Sequence, residues 1–213
     1  MLVSFSGIDS AGKTTQLELL DAYCREKGLR VRKIWSKARG TPGVLLLKEL
    51  LRRDKALDGE GKKAYRRAVF ASPRKQRLLF TASMLDLLWY WGVYYRLLRL
   101  RYRYVLCDRY LWDTLVELNS DFRALNPERR FLWKCVRAVA PKPKHAFLLL
   151  IPPEVSLRRD RAKSPLAAEA LEIKQEKIAC YLRLRDEGRW NHVLDGLLPP
   201  QTLQREIRRT LGV

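Results

Sequence analysis

The residues best equipped for chemistry sit together near the amino end, in Gly7-Ile8-Asp9-Ser10-Ala11-Gly12-Lys13-Thr14, directly after the apolar stretch Met1-Leu2-Val3-Ser4-Phe5. Strand, glycine loop and helix start, in that order, make a cradle for phosphate. Gly7 and Gly12 permit backbone angles that a β-carbon forbids, so successive N–H groups can turn inward around an anion. Ser10, Ala11, Gly12, Lys13, Thr14 and Thr15 carry that cradle into a helix start, where unpaired N–H groups and the helix dipole add positive charge. In such a loop the lysine, here Lys13, reaches the β- and γ-phosphates, and the hydroxyl, here Thr14, holds Mg²⁺. The octet predicts a nucleotide-phosphate site.

Other chemistry-bearing residues are placed by strands and short helices farther along. Tyr104-Val105-Leu106-Cys107 is an apolar strand ending in Asp108, a position from which a carboxylate approaches the magnesium of such a loop. Arg158, Arg159 and Arg161 cluster on a short helix after Pro152-Pro153. Guanidinium forks suit charge spread over three phosphoryl oxygens, although a solvated helix face is the plainer reading of any one of them. His145 and His192 each begin a strand-like run without ligand spacing, so neither reads as a metal ligand or catalytic base.

The elements that must position these groups alternate. Helices are expected over Thr15–Lys27, Val44–Arg53, Tyr65–Phe70, Arg74–Leu100, Trp112–Ser120, Asn126–Val139, Ala167–Glu187 and Gln201–Leu211. Strands are expected over the first five residues and over Val31–Trp35, Tyr104–Cys107, His145–Ile151 and Val193–Asp195. Arg39-Gly40-Thr41-Pro42-Gly43 and Asp54–Lys63 read as loops. The alternation implies a parallel sheet with helices on both faces. The helix over 74–100 is apolar on two faces, Leu78, Ala82, Leu85 and Trp89 on one and Phe80, Met84, Leu87, Trp91, Tyr94 and Leu98 on the other. Such a helix is central to a fold or packs on a partner subunit.

The 213 residues, 47% of them apolar, fit one domain over 1–213 with a substantial core. Lys and Arg number 43 against 23 acids, a formal charge of +20. That surplus suits a polyanionic partner: nucleotide, nucleic acid or anionic membrane. Arg96, Arg99, Arg101 and Arg103, interleaved with Tyr102 and Tyr104, are one such patch, or simply the exposed end of a core helix. Cys24, Cys107, Cys135 and Cys180 are widely spaced and contain no C-x-x-C pair, which argues against zinc and redox work. With no signal-like leader before the first strand, the expected setting is the reducing cytoplasm.

Taken whole, the chain resembles the thymidylate kinase family of nucleoside monophosphate kinases. Ser6-Gly7-Ile8-Asp9-Ser10-Ala11-Gly12-Lys13-Thr14-Thr15-Gln16 is similar to that family's opening, Asp108-Arg109-Tyr110 to its D-R-Y motif, Pro153-Glu154-Val155 with the arginines to the approach to its lid, and Val193-Leu194-Asp195-Gly196 to its adenine-side end. The resemblance implies a P-loop NTPase-type three-layer α/β/α fold with a five-stranded parallel sheet and a lid over about 156–172. It implies ATP and Mg²⁺ as cofactors, transfer to dTMP, and a homodimer through helix 74–100. It assigns Asp9 to the acceptor sugar, Arg109 to the acceptor phosphate with Tyr110 beside it, and Asp108 to the magnesium network. The family also places an arginine at the transferred phosphoryl. Position 10 being Ser10, that role falls to Arg158, Arg159 or Arg161.

Departures from the family pattern concern the acceptor. The family's T-R-E-P-G-G-T loop appears as Trp35-Ser36-Lys37-Ala38-Arg39-Gly40-Thr41, leaving Lys37 or Arg39 to meet the acceptor phosphate. Met84 stands where an arginine helps read thymine, and a thioether cannot donate to a base carbonyl. The lid's D-R-x-E is matched only by Glu172. Three readings follow: a dTMP kinase, a P-loop kinase for another small acceptor, and a nucleotide-dependent nucleic-acid or membrane binder.

Overall fold

The computed structural model describes residues 1–35, 72–163 and 169–213. The helices expected over 44–53 and 65–70, the loops over 39–43 and 54–63, and the candidate acceptor residues Lys37 and Arg39 lie outside the described residues, as does the middle of the expected lid.

Five strands form one all-parallel sheet: β1 Leu2–Ser6, β2 Val31–Trp35, β3 Tyr104–Asp108, β4 His145–Leu150 and β5 His192–Asp195, in the order β2-β3-β1-β4-β5. The central strands are near-continuous apolar runs because helices cover both faces of such a sheet. Val3, Phe5, Val105, Leu106, Phe147 and Leu148 are wholly buried, each contributing about 2 kcal/mol of transfer free energy. Phe5 stacks on Phe147 with centroids 5.3 Å apart. Register decides what stands beside the phosphate loop: Phe5 pairs with Asp108, and Ser6 with Leu148, so β3 ends at the loop's edge.

Among the described residues the helices are α1 Lys13–Glu26, α2 Pro73–Trp89, α3 Tyr95–Arg101, α4 Leu111–Asp121, α5 Phe131–Val139, α6 Pro153–Lys163, α7 Leu171–Asp186 and α8 Pro200–Leu211. Among them α1 packs on α8, α2 on α5, α4 on α7 and α6 on α7. The architecture is the expected α/β/α fold.

Three expectations need correction. The helix over 74–100 is not continuous α-helix: Tyr90–Tyr94 is a π-turn between α2 and α3. It contains Gly92, where a β-carbon would already touch Val139 of α5 at 3.6 Å. Its two apolar faces are also unequal. Phe80, Met84, Leu87, Trp91 and Leu98 are buried, whereas Leu78, Leu85 and Trp89 are exposed. The helix expected from Asn126 starts instead at Phe131, because Asn126 is left-handed (φ 48°) and two 3₁₀ turns, Arg123–Leu125 and Pro127–Arg129, flank it. The helix expected from Ala167 is helical from Leu171, with Glu169 and Ala170 outside it.

Candidate active site

The phosphate loop leaves β1 at the carboxyl end of the sheet, where open parallel sheets bind ligands. Gly7 has φ +135°, and a β-carbon there would sit 2.3 Å from the Leu149 carbonyl oxygen, so only glycine lets β1 and β4 run side by side into the loop. Ser10, at φ 58°, takes a left-handed conformation that a β-carbon resists. Gly12, at φ 94°, is the N-cap of α1.

Lys13 is buried and folds back over the loop, its Nζ donating to the carbonyls of Gly7 (2.8 Å) and Ile8 (2.7 Å). Burial first, and then the Arg109 guanidinium, pull its pKa from 10.5 to about 7, against the opposing pull of Asp113, Asp108 and Asp9. An anion in the cradle reverses that balance by favouring the ammonium. The exposed Thr14 hydroxyl donates to Asp108 at 2.9 Å. Hydroxyl and carboxylate oxygens are hard donors that fit Mg²⁺. No cluster of three His, Cys, Asp or Glu side chains that could hold a metal occurs among the described residues. Magnesium held by Thr14 and Asp108 would therefore complete its shell with phosphate and water oxygens, as it ordinarily does.

Asp113, on the first turn of α4, fastens the loop from below. Its carboxylate accepts from Ser6 Oγ (2.5 Å), the Gly7 N–H (3.1 Å), the Tyr110 N–H (3.0 Å) and the Tyr181 hydroxyl (2.7 Å). The Gly7 carbonyl, 3.2 Å from the same Tyr181 hydroxyl, competes with Asp113 for its one proton. Beside this hub lies Arg109, buried and left-handed (φ 70°). It pairs with Asp9, donates to the Gly7 carbonyl at 3.4 Å, and has Asp113 and Glu117 at 4.0 and 3.9 Å. Burial alone would lower its pKa. Tyr181, Asp9, Asp113 and Glu117 outweigh that and hold it charged.

A second network ties the arginine-bearing helix to the loop's apex. Ser156 of α6 donates to the Asp9 carbonyl at 2.7 Å, and Ser10 Oγ donates to Asp160. Lys174 of α7, fully buried, donates to Ser156 Oγ at 2.9 Å and pairs with Asp160. Arg159 donates to the carbonyls of Ser10 (3.2 Å) and Gly196 (3.4 Å). Gly196 lies so close to the loop that a β-carbon would be 3.0 Å from the Ala11 carbonyl. One helical turn along α7, Lys177 bonds Glu169 (2.7 Å) and Glu117 (3.2 Å). Burial opposes its charge, but those two carboxylates prevail and raise its pKa.

The fold thus brings together Gly7, Asp9, Ser10, Lys13, Thr14, Asp108, Arg109 and Arg159. Ala11 and Gly12 complete the loop, and Thr15 is exposed on the first turn of α1. Of the three clustered arginines Arg159 bonds the loop, whereas Arg158 and Arg161 are exposed on α6. Tyr110, which the resemblance puts beside the acceptor, has its side chain in the core. It is buried, packs on Trp91 and Tyr95 at 5.0 and 5.4 Å, and donates to the Pro141 carbonyl at 2.8 Å. Met84 is wholly buried in the core. Asp113, Ser156, Asp160, Lys174 and Tyr181 are absent from the sequence-based site. One signal for them was legible: Lys174 and Lys177 occupy the buried face of α7 with Tyr181 and Leu184, at spacings of three and four.

The chain matches the family model described as thymidylate kinase over residues 5–207. It is 31% identical to a thymidylate kinase of Thermomicrobium roseum, over 98% of this chain and 93% of that protein. It is 26% identical to a probable thymidylate kinase of Pyrococcus abyssi (96% and 92% covered) and 28% identical to a thymidylate kinase of Fervidobacterium nodosum (97% and 96%).

Proposed function

Because the chain belongs to the thymidylate kinase family, we propose that it transfers the γ-phosphoryl group of ATP to dTMP, releasing ADP and dTDP. One observation carries the site assignment. Lys13 Nζ and an Arg109 nitrogen both donate to the Gly7 carbonyl, at 2.8 and 3.4 Å, so the donor-side and acceptor-side cations meet at a single atom. In this reading the loop's N–H groups and Lys13 hold the triphosphate. Arg109, steadied by Asp9, presents the acceptor's phosphate in line, with Lys37 or Arg39 as a second cation on it. An acceptor phosphate oxygen forms the new bond to the γ-phosphorus as the bond to the β–γ bridging oxygen breaks, and ADP leaves with that electron pair. Arg159, which donates to the Ser10 carbonyl in the loop, stabilises charge on the transferred group. Thr14 and Asp108 would hold magnesium, which would neutralise charge on the triphosphate. The segment over about 156–172 serves as the lid that excludes water, which would otherwise take the phosphoryl group.

Met84 favours a second reading, a different acceptor, since a buried thioether offers thymine no hydrogen bond. A coupled assay of ADP release over dTMP, dUMP, dCMP, dAMP and dGMP separates the two. The expected outcome is greatest turnover with dTMP, abolished in Lys13→Ala and shifted mainly in acceptor KM in Arg109→Lys. Equal turnover by wild type and Lys13→Ala sinks the mechanism, and response to none of the five sinks the acceptor.

The exposed apolar stripe of Leu78, Leu85 and Trp89 supports a homodimer through α2. Sedimentation of Trp89→Asp as a monomer, against a wild-type dimer, tests it. The four cysteines are unpaired thiols, which supports a reducing, cytoplasmic setting.

A further inference from the structure

At the end of the sheet remote from the phosphate loop lies a cavity of about 400 Å³. Its charged walls are Arg99, Arg103, Lys142, Lys144 and the Met1 ammonium, and none of its lining residues is an acid. Leu2 and Tyr104, the first residues of β1 and β3, form part of its floor. The five residues of β1, at about 3.3 Å each, set it roughly 16 Å from the loop that follows Ser6. It shares no residue with the candidate active site.

Three separate cation-bearing stretches of chain converge here, beside Leu211 and Gly212 at the end of α8. Arg99 and Arg103 come from the end of α3 and the turn into β3, and Lys142 and Lys144 alternate with prolines before β4. The ammonium comes from the amino end, held by donation to the Arg103 carbonyl. The basic run over 96–103 admits an ordinary explanation on its own, because arginines at a helix C-terminus complement the dipole. Lys142 and Lys144 lie on no helix, and their convergence with that run has no dipole to balance it. The cations feel one another: burial, followed by Arg99, Arg103 and Lys144, depresses the Met1 ammonium below its ordinary pKa of 8.0. Like charges gathered in a concavity repel, and a multivalent anion relieves them all together. Guanidinium groups bind phosphate oxygens in pairs, and ammonium groups add point charges.

We propose that this cavity is a second anion site, which takes linked phosphate groups such as a free polyphosphate or the backbone of single-stranded nucleic acid. The cavity is larger than a lone phosphate needs, and its several cations can meet more than one phosphate of a chain. The site gives part of the +20 charge a specific task.

The test titrates two probes, inorganic tripolyphosphate by calorimetry and a labelled single-stranded 12-mer by fluorescence anisotropy, at about 50 mM salt. It uses the full chain in four forms: wild type, Lys13→Ala, Arg103→Ser/Lys144→Ser, and the three changes combined. Lys13→Ala weakens the phosphate loop, so tripolyphosphate binding that persists in it reports the distal cavity. Adding the Arg103→Ser/Lys144→Ser pair is expected to weaken that binding about tenfold or more. By itself the pair leaves ATP-dependent kinase turnover at the wild-type level. The salt dependence of oligonucleotide binding should flatten by roughly 1.4, at about 0.7 for each lost single-strand contact. Loss confined to tripolyphosphate identifies free polyphosphate as the source; loss of both probes identifies nucleic acid as well. Unchanged affinity for both probes in the distal variants overturns the proposal, as does disappearance of tripolyphosphate binding in Lys13→Ala alone. Neither result bears on the kinase reading, which the acceptor panel tests separately.

Discussion

Replacing Asp113 is the sharpest test of how the phosphate loop is held. Asp113→Ala removes the acceptor of four donors, two backbone N–H groups (Gly7 and Tyr110) and two hydroxyls (Ser6 and Tyr181), all at 2.5 to 3.1 Å. Ser6 and Tyr181 are each only 1% exposed. A buried donor left unmatched costs about 1–3 kcal/mol, and water entering the new cavity offsets part of that, so the expected loss is about 4 kcal/mol. For a chain of 213 residues that lowers Tm by roughly 12 °C. Asp113→Asn is the discriminating variant. Each carboxylate oxygen accepts from one hydroxyl and one N–H: Oδ2 from Ser6 and Tyr110, Oδ1 from Gly7 and Tyr181. Whichever side the amide nitrogen takes, the hydroxyl there can turn and accept, but one backbone N–H is stranded. The expected loss is therefore about 2 kcal/mol, half that of alanine. If the amide nitrogen faces Gly7, the loop's first residue loses its anchor and the KM for ATP rises at 25 °C, where the protein is still folded. Urea denaturation followed by circular dichroism measures the stabilities. An Asp113→Asn protein within 0.5 kcal/mol of wild type, or an alanine variant no worse than the asparagine one, refutes this account of the hub.

Two further outcomes concern the cations. Lys13, with its pKa near 7, is mostly neutral at pH 8 in the nucleotide-free protein, and a bound triphosphate favours the ammonium. Nucleotide binding at pH 8 should then take up nearly one proton, read by calorimetry in buffers of different ionisation enthalpy, with the uptake gone in Lys13→Met; heats independent of buffer contradict it. The same depression makes the unfolded chain bind more protons than the native one between about pH 7 and 10.5, so Lys13 makes stability rise with pH across that window. Lys174→Met leaves Asp160 without its buried ammonium. It should lower stability by about 2 kcal/mol and kcat by about tenfold, and Lys174→Met/Asp160→Asn should recover at least half of the stability. No recovery in denaturation would mean that the pair is not coupled.

What was readable in the amino acids alone was local. Gly7 to Thr14 announces itself because phosphate binding by main-chain amides needs glycines at fixed offsets before a helix, and β1, β3 and β4 announce themselves as predominantly apolar runs. The strand ending in Asp108 was legible for the same reason, and its register against Phe5 puts that carboxylate against Thr14. Other choices needed atoms far apart in the chain to meet. Only packing separates Arg159 from Arg158 and Arg161, because a helix presents neighbouring residues in different directions. Only packing sets the Tyr110 side chain against Trp91 and Tyr95. Asp113 and Lys174 carry no motif. Asp113 looks like solvent-facing charge until 107 residues of separation close on Ser6, and the helical spacing that buries Lys174 names no partner until 14 residues close on Asp160. Short-range stereochemistry therefore determined where a phosphate can be gripped, and long-range burial, which penalises every unmatched charge and donor, decided which side chains do the holding.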